Sequence, residues 1–322
     1  DQTRGWFYTL HVLATLLFDD VAYENVICAG HIIDEKGEKM SKSKGNILDP
    51  DNVLDSVGVD ATRLQFCTTD IGGFKKFSVE IVKKEIFPFL NTFWNTCQFY
   101  TQLRTSRKEE DRVEDAWIIS RLNSTIKTVS ENLENYQIEK ALNPLMEFVV
   151  NDFSKTYIKM IREREDKKVN KIIEEVLEKT SLMLAPFAPH ISEVVYHNFS
   201  KNSVHLSEWP KHDGKKINEN LEEEFKLALE IIEKGLSERD KLKVGLKWPL
   251  ADATYETNKA ISKKVEEIVA RQLNVKKLIK KVLKESENIK VELNTKMTPE
   301  LEGEGYSREI MRRVQEERKK KG

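Results

Sequence analysis

The chain has 322 residues, 39% hydrophobic and 33% charged, with a formal net charge of -1, which is enough length and apolar content for two or three domains with their own cores. No stretch approaches the roughly 20 uncharged apolar residues of a membrane span, and residues 1–5 carry neither the basic start nor the apolar run of a signal peptide. A cytoplasmic location without a membrane partner is therefore expected. Cys28, Cys67 and Cys97 form no CxxC or CxxH pair, so a disulfide framework and a zinc site are not expected, and the three read as small buried side chains.

From 6 to 18 a helix is predicted, with Trp6, Leu10, Leu13, Ala14 and Leu17 on one face. A nearly all-apolar strand of the kind buried in a parallel sheet follows at 26–33. Asp34 to Gly37 forms a polar turn, and residues 39–46 have no hydrophobic period, which predicts an exposed loop. Residues 49–77 read as compact helical and irregular structure. Amphipathic helices are then predicted over 79–103, 115–133, 138–164 and 170–199, a natural four- or five-helix bundle.

Within the last of these, Pro186 and Pro189 each remove a backbone donor, so the helix must break and restart there. His190 at that break reads as structural rather than catalytic, because no acid, base or nucleophile clusters near it. Beyond 203 the pattern is α+β: a helix around 221–236, a strand through 244–250, a helix near 261–272, strands near 277–282 and 289–293, and a helix from Tyr306. Every charge between 271 and 284 is positive and 308–321 is net basic. Such stretches suit a polyanion, although a lysine-rich face can also simply keep helices soluble.

Lys39-Met40-Ser41-Lys42-Ser43 places two ammonium groups and two hydroxyls within five loop residues, directly after a buried strand. Phosphates are the obvious ligand, since positioned lysines stabilise charge that develops on phosphoryl oxygens. A flexible lysine can follow a departing pyrophosphate. Taken alone, a lysine- and serine-rich loop is usually just solvated.

The longer string KMSKSKGNILDP, with Gly30-His31 before it, resembles the second signature of the class I aminoacyl-tRNA synthetases, in the form typical of the isoleucine, valine and leucine enzymes. The resemblance implies that Lys42 contacts ATP and stabilises the pyrophosphate, supported by Lys39, Ser41 and Ser43, with Met40 and His31 also on the ATP side. Asp1-Gln2-Thr3-Arg4-Gly5-Trp6-Phe7 resembles the corresponding segment of isoleucine-specific members. It implies Asp1 near the adenosine ribose, Gln2 near the aminoacyl-adenylate and Trp6 as a wall of the isoleucine pocket, while core packing stays open for Trp6. ATP with magnesium, L-isoleucine and isoleucine tRNA are the implied cofactors and partners.

Further resemblance lies in 115–123 and 151–162, which match helices of the anticodon-binding bundle, in 184–193, the helix interruption common to this subgroup, and in 243–250 and 303–315, which resemble the archaeal and eukaryotic type. The implied fold is multidomain: the C-terminal piece of a Rossmann-type α/β catalytic domain with the signature loop (1–49), a stem-contact connector (50–78), an all-α anticodon-binding helical bundle (79–202) and a small α+β domain (203–322). None of the six histidines lies in a HIGH tetrapeptide, so the chain by itself is expected to be a catalytically incomplete C-terminal fragment. A valine or leucine enzyme, a non-catalytic tRNA-binding module and a helical scaffold remain as alternatives.

Overall fold

Helix starts in this chain follow its short polar residues and prolines. The computed structural model describes residues 4–103, 109–162, 164–259, 261–281 and 289–320. The chain begins with α1 (Trp6–Phe18), β1 (Ile32–Ile33), α2 (Pro50–Val57), α3 (Val59–Cys67), β2 (Lys75–Lys76), α4 (Val79–Glu85) and α5 (Phe87–Gln102). There follow α6 (Val113–Glu134), α7 (Ile138–Glu147), a π-helical stretch Phe148–Ile158, α8 (Lys159–Ile161), α9 (Lys167–Leu184) and α10 (Pro189–Tyr196). The remainder is α11 (Glu219–Lys241), β3 (Leu250–Glu256), α12 (Lys263–Leu273), β4 (Val275–Lys281), β5 (Lys290–Leu293) and α13 (Pro299–Lys320). Two compact units result: Asp1–Cys97 with Lys127–Val149 and Leu177–Pro210, and Gln98–Ile126 with Val150–Val176 and Lys211–Gly322.

In the first unit, Asp49 caps α2 by accepting from the Asp51 N–H, with Pro50 at the first helical position. Ser78 caps α4 through the Ile81 N–H at 3.2 Å. Leu64, Val82, Ile86, Phe89 and Phe93 are buried, together with Leu142, Leu145, Leu184 and Val195. The break after α9 is held by α3. The Asp60 carboxylate accepts from the His190 and Ile191 N–H groups at 3.2 and 2.7 Å, satisfying donors that a helix start leaves without partners. Arg63 donates to the carbonyls of Pro186 and Phe187 at 2.7 and 3.2 Å. At His190 it is thus the main chain, not the imidazole, that Asp60 engages.

The second unit stacks Trp117 of α6 on Phe225 of α11, ring centroids 4.6 Å apart. Its sheet has the order β4-β3-β5, with β3 parallel to β4 and antiparallel to β5, and α11 and α12 pack against it. Tyr255 of β3 is buried and donates to Glu266 of α12 at 2.7 Å.

Several expectations need correction. The strand at 26–33 shrinks to Ile32–Ile33, paired in parallel with Lys75–Lys76. Val26 and Ile27 are exposed; an apolar run makes a strand only where a neighbour takes its hydrogen bonds. α1 buries none of its residues, and Trp6 is 61% exposed, so the predicted apolar face does not enter a core of this chain. Cys28 is exposed and Cys67 half-buried, leaving Cys97 as the one buried cysteine. The helix at 79–103 restarts at Phe87, where Pro88 occupies the first turn. The helix expected over 138–164 changes to π-helical spacing at Phe148.

No strand forms at 244–249, because this segment makes a turn whose carbonyls serve a different donor. Lys243 has φ +55°, Pro249 lacks an N–H, and the carbonyls of Gly245 and Trp248 accept from Arg239. The strand begins at Leu250 instead. The last helix starts at Pro299, seven residues before Tyr306. Val282 and Lys284 lie outside the described residues.

Candidate nucleotide-binding loop

The loop at 39–46 leaves β1 and returns within a few residues. Lys39 bridges back to Ile33, the Met40 N–H donates to the Ile32 carbonyl at 3.3 Å, and Lys42–Lys44 forms one 3-10 turn closed by the Lys44 N–H on the Ser41 carbonyl. Gly45 then adopts φ +67°, a conformation that favours glycine and lets the chain reverse. Gly30, just before the loop, is required by close approach. A Cβ there would sit 1.8 Å from the Gly73 carbonyl oxygen, on the segment to which the Gly30 N–H donates through Ile71.

Four of the residues proposed from sequence for the ATP side form two pairs. Lys39 Nζ lies 3.5 Å from His31 Nε2, and the hydroxyls of Ser41 and Ser43 are 3.2 Å apart. Lys39, Ser43 and Lys44 are exposed while Met40 and Ser41 are half-buried, which suits side chains that meet a solvent-borne ligand on a backbone held from behind. The Lys42 backbone belongs to the 3-10 turn, and its side chain lies outside the described residues, as do Asp1 and Gln2. Trp6 lies exposed on α1, with Phe7 edge-on at 5.3 Å.

Sequence reasoning missed the residues behind the loop. The Asn46 amide accepts from the Ser41 N–H at 2.9 Å and donates to Asp34 Oδ2 at 3.0 Å. Asp34 Oδ1 in turn accepts from the N–H groups of Lys36 and Glu38 at 3.0 and 2.9 Å. The Asn46 bond, followed by that from Glu38, holds the Asp34 carboxyl below its ordinary range. The available signal was an Asp opening a turn and an Asn closing a loop, both residue types that bond to nearby backbone. Behind the loop, Asp34, Glu38, Met40, Asn46, Phe77 and Ser78 line an open cavity of about 410 Å³.

The helices that resemble an anticodon-binding bundle turn many of their charges inward. Arg164, 6% exposed, makes a bidentate pair with Asp115 at 2.8 and 2.9 Å and a third bond to Asp166 at 2.9 Å. Tyr157 donates to the same Asp115 at 2.8 Å. Burial works against the Arg164 charge, yet Asp115 and Asp166 outweigh it and keep the guanidinium protonated. Arg121 joins Asp152 and Glu222, and Glu222 also accepts from Ser120 and Ser124. Residues 115, 152 and 157 are thus structural.

The basic stretches are partly neutralised as well. Arg271 pairs with Glu114, Lys276 with Glu304, Arg308 with Glu304, and Arg312 and Arg313 with Glu309. Lys277, Lys280 and Lys281 on β4 are exposed.

Residues 1–78 match the family described as tRNA synthetases class I (I, L, M and V), and residues 115–255 match the anticodon-binding domain of tRNA ligase. Among curated relatives, an isoleucine–tRNA ligase of Clostridium tetani (strain Massachusetts / E88) is 37% identical over 87% of this chain and 29% of its own length. One from Dehalococcoides mccartyi (strain ATCC BAA-2266 / KCTC 15142 / 195) is 34% identical over 100% of this chain and 36% of its own. The isoleucine–tRNA ligase of Picrophilus torridus is 35% identical over 86% and 29%. The chain therefore spans about a third of the length of the relatives it matches.

Among solved structures, the agnB2 LeuRS of Agrobacterium radiobacter K84, in a ternary complex with tRNA and LeuAMS, superposes with a TM-score of 0.52 at 22% identity. The match covers 67% of this chain and 27% of that one and speaks to the fold alone. Two family matches in the order catalytic then anticodon-binding, with isoleucine–tRNA ligases aligned along nearly all of its length, make this chain a member of the class I aminoacyl-tRNA synthetases.

Proposed function

We propose that the protein carrying this chain joins L-isoleucine to its cognate tRNA in two steps. The isoleucine carboxylate attacks the α-phosphorus of ATP, releasing pyrophosphate and forming isoleucyl-adenylate; a terminal ribose hydroxyl of the tRNA then takes the isoleucyl group and releases AMP. In the first step negative charge grows on the departing pyrophosphate, and Lys42, assisted by Lys39 and the hydroxyls of Ser41 and Ser43, neutralises it. Met40 and His31 flank the nucleotide, Asp1 holds the ribose, Gln2 the adenylate, and Trp6 bounds the isoleucine side chain.

Magnesium would arrive bound to the ATP phosphates. The roles assigned to this chain's own residues are electrostatic or positional. We assign residues 1–49 to the catalytic domain, 50–78 to a connector toward the tRNA stem, 79–202 to anticodon binding and 203–322 to a further tRNA contact, all in the cytoplasm. Unstacked anticodon bases would be read by aromatic and arginine side chains, with affinity set largely by phosphate neutralisation.

The observation that carries the reading is the loop itself, whose backbone is fixed from behind while Lys39 and Ser43 face solvent. Lys42→Ala in the full protein should slow isoleucine-dependent ATP–pyrophosphate exchange by a factor on the order of 100 to 1000. Exchange at the unaltered rate would overturn the assignment.

A further inference from the structure

We propose that Asn46 and Asp34 form a latch that positions the 39–43 loop, so that this pair, without touching ATP, sets how well the loop's ammonium groups and hydroxyls meet the phosphates. The inference rests on the reading of this loop as the ATP-contacting element. Asn46 is suited to the task because one planar amide carries a donor and an acceptor. Its Oδ1 takes the Ser41 N–H at 2.9 Å, and its Nδ2 donates to Asp34 Oδ2 at 3.0 Å and, more loosely, to the Lys39 carbonyl at 3.4 Å. These bonds reach the backbone at the first and third residues of the five-residue signature.

Asp34 anchors the other end. Its second carboxylate oxygen holds the Lys36 and Glu38 N–H groups, while its own main chain exchanges bonds with Glu38 and Gly37 at 2.9 and 3.0 Å. The polar turn at 34–38 is thereby a rigid bracket, Asp34 its outward carboxylate, and Asn46 the arm that passes its position to the loop. Backbone bonds tie Lys39 and Met40 to β1, but of the side-chain restraints beside the latch the ion pair is weak. The Lys44–Glu38 pair is more than half exposed at both ends, and such pairs contribute little. Removing the latch should leave the loop attached but free to wander, and a displacement of about 1 Å of a catalytic group can cost up to about 100-fold.

The donor and acceptor can be exchanged, which gives a test that a general folding defect cannot imitate. Asn46→Asp sets two carboxylates against each other. Asp34→Asn sets two amide N–H groups against each other, or else releases the N–H groups of the turn. In the double exchange the amide now at position 34 donates to the carboxylate now at position 46, which still accepts from the Ser41 N–H.

Isoleucine-dependent ATP–pyrophosphate exchange would be measured on the full protein for both single variants, the double variant and Lys42→Ala, with thermal melting alongside. Each single exchange should lower kcat on the order of 10- to 100-fold with the KM for isoleucine unchanged, and the double exchange should recover to within a few-fold of the parent. Single variants that exchange at the parent rate, while Lys42→Ala is slow, would overturn the latch and leave the loop's role standing. A double variant no faster than the worse single one, at unchanged melting temperature, would also overturn it. A Lys42→Ala protein with parent activity would instead remove the reading on which the latch rests.

Discussion

The Arg239 guanidinium donates two hydrogen bonds of 3.1 Å each to the main-chain carbonyl of Trp248, and three more to the carbonyls of Leu273, Gly245 and Asn274. A cation 2% exposed and met by four backbone oxygens gathers the end of α12 and the 243–249 turn into one knot. Burial lowers its pKa, as expected where the hydrogen-bond partners are neutral carbonyls. The knot holds Trp248, whose ring lies where a Cβ on Gly305 of α13 would fall, 2.1 Å from the indole.

Arg239→Lys should therefore destabilise the protein by on the order of 3 kcal/mol, since one ammonium cannot serve four separated carbonyls. Gly305→Ala should push the indole aside. Because both act through Trp248, their effects on thermal or urea unfolding should be non-additive in a double-mutant cycle; strict additivity would show that Trp248 does not connect them.

Trp6 offers a separation of packing from substrate contact. At 61% exposure, Trp6→Ala should change stability by no more than about 0.5 kcal/mol. If Trp6 bounds the isoleucine side chain, the KM for isoleucine in pyrophosphate exchange should rise more than that for ATP. Equal rises, or a fall in melting temperature alone, would return Trp6 to a packing role.

Arg164 tests the inward-turned charges. Arg164→Met leaves Asp115 and Asp166 buried without their cation and should cost about 3 to 5 kcal/mol by denaturant titration. Adding Asp115→Asn and Asp166→Asn removes those charges and should recover part of the loss. No recovery would mean that packing around the guanidinium, rather than charge pairing, dominates.

The acidic side chain Glu309 should make α13 sensitive to low pH. Hydrogen bonds from Arg312, Lys247 and Arg313 hold its carboxyl down at about 2, against an ordinary 4.5. A depressed carboxylate stabilises the fold above its unfolded-state pKa, and that contribution is lost as pH falls through the folded value. The melting-temperature gap between the parent and Glu309→Gln should thus be steady at neutral pH and close between about pH 4.5 and 2. A gap that persists at pH 2 would rule out ionisation as its source.

How much was legible in the sequence depended on the range of the forces involved. Local rules located the break at Pro186 and Pro189, where missing donors forbid a helix from continuing. They also recognised an exposed loop at 39–46 from its lack of hydrophobic period, and long helices from theirs. The signature string within that loop pointed to the family because it is contiguous, needing no knowledge of what lies across the fold.

Tertiary structure alone decided where the hydrogen bonds of less regular segments go. The carbonyls at 245 and 248 turn to Arg239 rather than to a strand, and the apolar run at 26–31, among the described residues, hydrogen-bonds to the 71–75 segment only through the Gly30 N–H and the His31 carbonyl. Asn46 and Asp34, twelve residues apart, bond behind the loop. Helical period could announce an apolar face on α1 but not whether this chain covers it, and charge patterning could announce basic stretches at 271 and 308 but not their pairing with Glu114, Glu304 and Glu309. Periodicity and capping act over a few residues and are written in order along the chain, whereas the partner of a charge or a carbonyl is chosen only when distant segments meet.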